Sequence, residues 1–149
     1  MTKATDLLLA YENLTWELYV DLSDDLTAIN PLNIEGELLK QARVFSYYSG
    51  LYENAKRDCE ILEIELTKCQ AYARIRGQEE CEIKKIKATV AIMDSFVDSD
   101  ESCTKIILNL TDTKYKLGLL KSLMQSLSHK KDMLVQLSAN QRTEKGIYS

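Results

Sequence analysis

Apolar residues recur at coiled-coil spacing over a long, nearly uninterrupted stretch of the chain. Leu38, Phe45, Tyr52, Cys59, Leu66 and Ala73 follow one another every seven residues. Tyr48, Ala55, Leu62 and Cys69 fill the positions three further on, and only Gln41 breaks that second series. A repeat of this kind places one apolar stripe along a helix. The pattern predicts a long helix from Asn33, a suitable N-cap, to about Arg76, with Glu35 and Glu37 in the first turn and Gly77 as its stop. A second long helix is expected from about Val97 to Gln141. Its seam is Cys103, Ile106, Leu110, Leu117, Leu120, Met124, Leu127 and Leu134, interrupted by Thr113, Lys131 and Ser138.

The flanking segments are shorter. Leu7, Leu8, Tyr11 and Leu14 suit a short helix over residues 3 to about 16. Trp16 to Leu22 alternates, and fits either a continuation of that helix or an extended arm. Ser23 to Asn33 contains Asp24, Asp25, Asn30 and Pro31 and is expected to be a connector. Between the long helices, Ile83, Ile86, Val90 and Met93 share one face of an amphipathic piece starting at Glu79. Asp94, Ser95 and Asp98 are cap candidates behind it. The tail from Arg142 is expected to fray.

Each long helix would span about 60 Å, whereas a compact globule of this chain length has a radius of gyration of only ~15 Å. The fold expected is therefore all-α: an elongated antiparallel hairpin of two long helices with a short N-terminal helix or arm. Residues 1–33 form the N-terminal segment and connector, 34–145 a single hairpin domain, and 146–149 a tail. Two helices leave Ile107, Leu119, Leu123 and Leu137 uncovered, so oligomerisation through helix faces is expected.

Composition changes this picture little. The 149 residues include one Pro and five Gly, a scarcity that favours long helices. The formal charge is −4, but it is unevenly distributed. Residues 1 to 40 carry eight acids against Lys3 and Lys40, and the remainder is slightly basic. No signal peptide and no membrane-length apolar run is read from the sequence. Cys59, Cys69, Cys81 and Cys103 contain no CxxC pair and the lone His129 is distant from them, so neither a zinc site nor a disulfide is expected. Free thiols in a reducing cytosol serve as small core residues.

Candidate chemistry is confined to one region. There is no nucleophile elbow, phosphate loop or metal-ligand spacing, so neither an enzyme nor a cofactor is expected. Glu60, Glu63 and Glu65, like His129-Lys130-Lys131, read as solvated helix faces. Lys68, Arg74 and Arg76 close the first long helix, and Lys84, Lys85 and Lys87 follow, with Tyr72 among them. Such cations beside an aromatic ring suit a single-stranded backbone whose base stacks on the ring. Alternatively, Arg74 and Arg76 complement the helix C-terminus, and Glu79, Glu80 and Glu82 neutralise the lysines.

The order of these segments resembles the phage recombination mediator family typified by UvsY. It runs from Trp16-Glu17-Leu18-Tyr19-Val20-Asp21-Leu22-Ser23 through Phe45-Ser46-Tyr47-Tyr48 and Tyr72-Ala73-Arg74-Ile75. It continues with Ile83-Lys84-Lys85-Ile86-Lys87-Ala88-Thr89-Val90 and a last helix carrying Leu117 to Leu134. The resemblance covers residues 12 to 146 and rests on collinear order rather than one diagnostic motif. The family's Lys-Ala-Arg-Leu motif falls on Tyr72-Ala73-Arg74-Ile75, with Arg74 matching its arginine, Tyr72 replacing its lysine and Arg76 supplying a nearby charge. The connector Leu26 to Leu32 is longer than in typical members. The resemblance implies a helical protein that assembles into a ring, a hexamer or heptamer, binds single-stranded DNA, and loads a RecA-like recombinase while displacing single-strand-binding protein. It also implies the cytoplasm of an infected bacterial host. A coiled-coil scaffold or adaptor that binds only proteins is the alternative.

Overall fold

The computed structural model describes residues 8–148. It is all-helical: a 3-10 turn Tyr11–Asn13, then α1 Trp16–Thr27, α2 Ile34–Ile83, α3 Val90–Asp98 and α4 Glu101–Tyr148. The chain divides into two compact units. One comprises the described residues of Met1–Ala55 and Lys116–Ser149, the other Lys56–Tyr115.

Caps explain where the helices begin. Thr15 accepts from the Leu18 N–H at 3.2 Å and starts α1. Asn33 starts α2 as expected, its side-chain oxygen accepting from Gly36 N–H at 3.2 Å, with Glu35 and Glu37 in the first turn. Thr89 opens α3 by accepting from Ile92 N–H at 3.3 Å. Asp100 opens α4, its carboxylate accepting from Cys103 N–H at 2.9 Å. The candidates Asp94, Ser95 and Asp98 lie inside α3 instead. Trp16 to Thr27 is helical rather than an arm, so Asp24 and Asp25 do not break the chain. The short helix expected from residue 3 lies partly outside the described residues, and from Leu8 onward only the 3-10 turn forms before Thr15.

The larger unit is a core of three helices and the segment before them. Leu22 and Leu26 of α1 join Tyr48, Leu51 and Ala55 of α2 and Leu119, Leu120, Leu123 and Leu127 of α4. Leu8, Tyr11 and Leu14 complete that cluster. Leu119 and Leu123, expected to be uncovered, are buried here because the N-terminal residues supply a further apolar layer. Gln41, the one break in the α2 seam, is buried and donates its side-chain amide to the Leu127 carbonyl of α4. Buried amides need such a partner. Leu8 is held at both backbone groups: its N–H donates to the Tyr48 hydroxyl at 3.4 Å, and its carbonyl accepts from Tyr47. Burial pushes the Tyr48 phenol pKa upward.

Lys130 is the other polar residue in this unit that sequence pattern misplaces. Its neighbours His129 and Lys131 are exposed, but Lys130 is buried. The ammonium pairs with Glu37 of α2 at 2.8 Å and donates to the Leu26 carbonyl in the last turn of α1 at 2.8 Å. α1 has no basic residue in its own last turn. A cation from α4 thus meets the orphan carbonyl and the negative end of that helix.

In the smaller unit, α2 and α4 run past one another in opposite directions. Glu63 pairs with Lys114 at 3.3 Å, Cys69 meets Cys103, and Arg76 meets Asp100. Ala73, Val97 and Cys103 form the buried cluster, with Leu66 and Cys69 against it. Gly77 does not stop α2, which continues to Ile83. The helix ends in a Schellman turn: Ile86 N–H donates to the Cys81 carbonyl at 2.9 Å and Lys85 N–H to Glu82 at 3.3 Å. Lys85 occupies the left-handed position, with φ of 56°, where glycine is usual. The face expected to join Ile83, Ile86, Val90 and Met93 is therefore broken. Met93 is buried in α3, and the other three are exposed around the turn.

Candidate nucleic-acid interface

Every residue of the candidate DNA-binding group lies in the smaller unit, Lys56–Tyr115. Lys68, Tyr72, Arg74 and Arg76 are carried by α2, Lys84 and Lys85 by its terminating turn, and Lys87 by the extended segment before α3. Lys68, Tyr72 and Arg76 follow at four-residue steps, so they lie along one side of the helix. All are solvent-exposed, Tyr72 to 66%.

Half of the positive groups are already held by acids. Arg74 pairs with Asp94 of α3 at 3.3 Å, both side chains about half exposed. Arg76 pairs with Asp100, the N-cap of α4. Lys84 pairs with Glu80 one turn earlier at 2.9 Å, and the Glu80 hydrogen bond raises its pKa. Among the described residues, Lys68, Lys85 and Lys87 make no ion pair. The idea that Arg74 and Arg76 complement a helix end does not hold, because α2 runs on to Ile83 and has no basic residue in its last turn. They reach across to α3 and to the start of α4 instead. Neutralisation by the following glutamates is seen at Glu80 alone among the described ion pairs.

Asp100 organises this region. Its carboxylate pKa is held below the usual value, first by the Cys103 N–H it accepts and further by Cys103 and Arg76. Close to it lies a cysteine pair that spacing did not reveal. The Cys103 thiol donates to the Cys69 sulfur at 3.0 Å, and Cys69 in turn faces an Asp100 oxygen at 3.8 Å. Cys103 is fully buried and Cys69 partly exposed. Burial, followed by the neighbouring thiol and carboxylate, pushes the Cys103 pKa up to about 12. The potential metal donors of Cys69, Asp100 and Cys103 lie within 4.8 Å of one another. Cys59 is a separate buried thiol whose pKa burial also raises. The one signal for the pair was that Cys69 and Cys103 each occupy the apolar seam of a long helix.

No helix among the described residues is long and apolar enough to cross a membrane. In comparisons with known proteins, no family, no curated protein and no solved structure matches the chain.

Proposed function

We propose that the protein is a non-enzymatic recombination mediator that binds single-stranded DNA and loads a RecA-like recombinase while displacing single-strand-binding protein. The observation that carries this reading is the exposed stripe Lys68, Tyr72 and Arg76 on α2, with Lys84, Lys85 and Lys87 exposed at and after its end. A row of exposed cations suits a phosphate backbone, and an exposed ring suits an unstacked base. The order of segments that resembles the UvsY-typified family supports it. In this reading α2 and α4 are the arms of an antiparallel hairpin, and sister chains cover exposed apolar residues such as Ile61, Ile64, Ile107 and Leu108. A hexameric or heptameric ring would repeat the cations as a belt, although each chain is acidic, and would work in the cytoplasm of an infected bacterial host.

The test is filter binding of a labelled oligonucleotide across a salt series. Arg74→Ala/Arg76→Ala is expected to weaken retention and flatten its dependence on salt. Equal affinity at low salt would reject these residues as contacts.

The pairing of Arg74, Arg76 and Lys84 with acids favours a second reading, a scaffold that binds only proteins. That reading predicts oligomers in sedimentation with no salt-sensitive shift of the oligonucleotide.

A further inference from the structure

We propose that Cys69 and Cys103 form a reversible intramolecular disulfide, which makes this pair an oxidation site within the smaller unit. The two sulfurs lie 3.0 Å apart on α2 and α4. That is closer than the about 3.5–4.0 Å at which even the smaller carbon atoms rest. They are 34 positions apart in sequence, so helix packing and not local geometry holds them together. Cys69 is partly exposed and Cys103 is buried behind it. One thiol is therefore reachable from solvent and the other is placed to displace whatever attaches to the first.

The oxidant is a small-molecule disulfide. The Cys69 thiol loses its proton to solvent, and its sulfur attacks the disulfide. A mixed disulfide forms at Cys69, and one small thiolate leaves and is protonated. The Cys103 thiol then passes its proton to the adjacent Asp100 carboxylate, which releases it to solvent, and its sulfur attacks the Cys69 sulfur. The mixed disulfide breaks, the protein disulfide forms, and a second small thiolate leaves and is protonated. Two protein thiols and one small disulfide thus become one protein disulfide and two small thiols. The first attack falls to Cys69 because Cys103 is buried and held protonated.

A metal ion fits the same atoms less well. Both oxygens of Asp100, the third potential donor, are engaged, one by Cys103 N–H and the other by the Arg76 guanidinium. A dication there would meet a fixed positive charge beside its ligand. The disulfide needs neither oxygen. It would close into a covalent loop the segment that carries Tyr72, Arg74, Arg76, Lys84, Lys85 and Lys87.

The experiment treats the full chain with oxidised glutathione, blocks remaining thiols and maps the unreduced tryptic peptides by mass. The expected product joins the Cys69 and Cys103 peptides, is lighter by two hydrogens than the reduced pair, and reverts with dithiothreitol. Cys59 and Cys81 should remain alkylatable after unfolding. The oxidised protein should melt several degrees higher than the reduced protein, since a loop of this length is removed from the unfolded chain. Cys69→Ser should abolish both effects. A Cys59→Ser/Cys81→Ser variant should lose both remaining thiols on oxidation, a readout that does not need Cys103 to be replaced. Glutathione retained on Cys69 without closure, links between other cysteines or between chains, or zinc bound by the reduced protein and lost in Cys69→Ser without any linked peptide would each overturn the assignment.

Discussion

Gly77 of α2 lies against Phe96 of α3 so closely that a Cβ on Gly77 would stand 2.7 Å from Phe96 Cδ2 and 3.1 Å from its Cβ. A residue that reads as a helix stop is a packing contact inside a helix. The near end of the phenylalanine is involved, so the ring cannot swing away without moving α3. Gly77→Ala should therefore destabilise the protein by about 1–2 kcal/mol, although alanine is the better helix former. Gly50 provides the control, because nothing lies within 4 Å of its missing Cβ. Gly50→Ala should stabilise by about 1 kcal/mol. Urea unfolding of both variants checks the pair, and a stabilised Gly77→Ala would mean that α3 yields.

Lys130 joins three helices through one ammonium, meeting Glu37 of α2 and the Leu26 carbonyl of α1 from its own place in α4. Lys130→Met removes a buried cation and leaves a carboxylate and a carbonyl without their partner. A loss of roughly 2–3 kcal/mol is expected. Replacing Glu37 as well, in Lys130→Met/Glu37→Met, should restore part of the loss, because the uncompensated charge is then gone. A double-mutant cycle in urea measures the coupling; strict additivity would show that the two side chains do not interact.

The same residues show how far sequence pattern carries. The α4 seam from Cys103 to Leu134 emerges buried or partly buried at every position named for it, since a sustained repeat overrides weak local signals. Asn33 as a cap was equally legible, because a short polar side chain before acids has a local mechanism. What was not legible depends on partners distant in the chain. Asp24 and Asp25 looked like breakers until Leu22 and Leu26 found the core, and Leu119 and Leu123 looked uncovered until the N-terminal residues packed on them. Lys130 sits between two exposed residues and no local feature separates it from them. In the candidate site the cations themselves were legible in the sequence, whereas Asp94 and Asp100, the partners of Arg74 and Arg76, lie on α3 and at the start of α4.

Lys85 holds the left-handed position of the turn that ends α2, with φ of 56°. A side chain there strains the backbone by about 1–2 kcal/mol, offset in part by the greater freedom of glycine in the unfolded chain. Lys85→Gly should raise stability by up to about 1 kcal/mol. The same substitution removes one of the exposed cations. If the DNA-binding reading holds, the log–log salt slope of oligonucleotide retention should fall by roughly 0.7. Stability and binding would then move in opposite directions, which a general folding defect cannot produce.

Asp100→Asn separates the two tasks of Asp100, capping α4 and holding Arg76. Asparagine caps as well as aspartate does, so Cys103 N–H keeps its acceptor, while Arg76 loses its counter-charge. In the DNA-binding reading a released guanidinium should raise oligonucleotide affinity several-fold at low salt, and Arg76→Ala in the same background should cancel the gain. In the protein-only reading neither variant changes retention. The acid response gives a second measurement. The Asp100 pKa is lowered in the folded chain, so its contribution to stability is present above the unfolded carboxylate value of 3.8 and is lost as pH falls through the folded value. Asp100→Asn should therefore differ most from wild type near neutral pH and converge with it as pH falls through the lowered folded value. A difference in melting temperature that stays constant from neutral to strongly acidic pH would show that the charge on Asp100 contributes nothing to holding α4 in place.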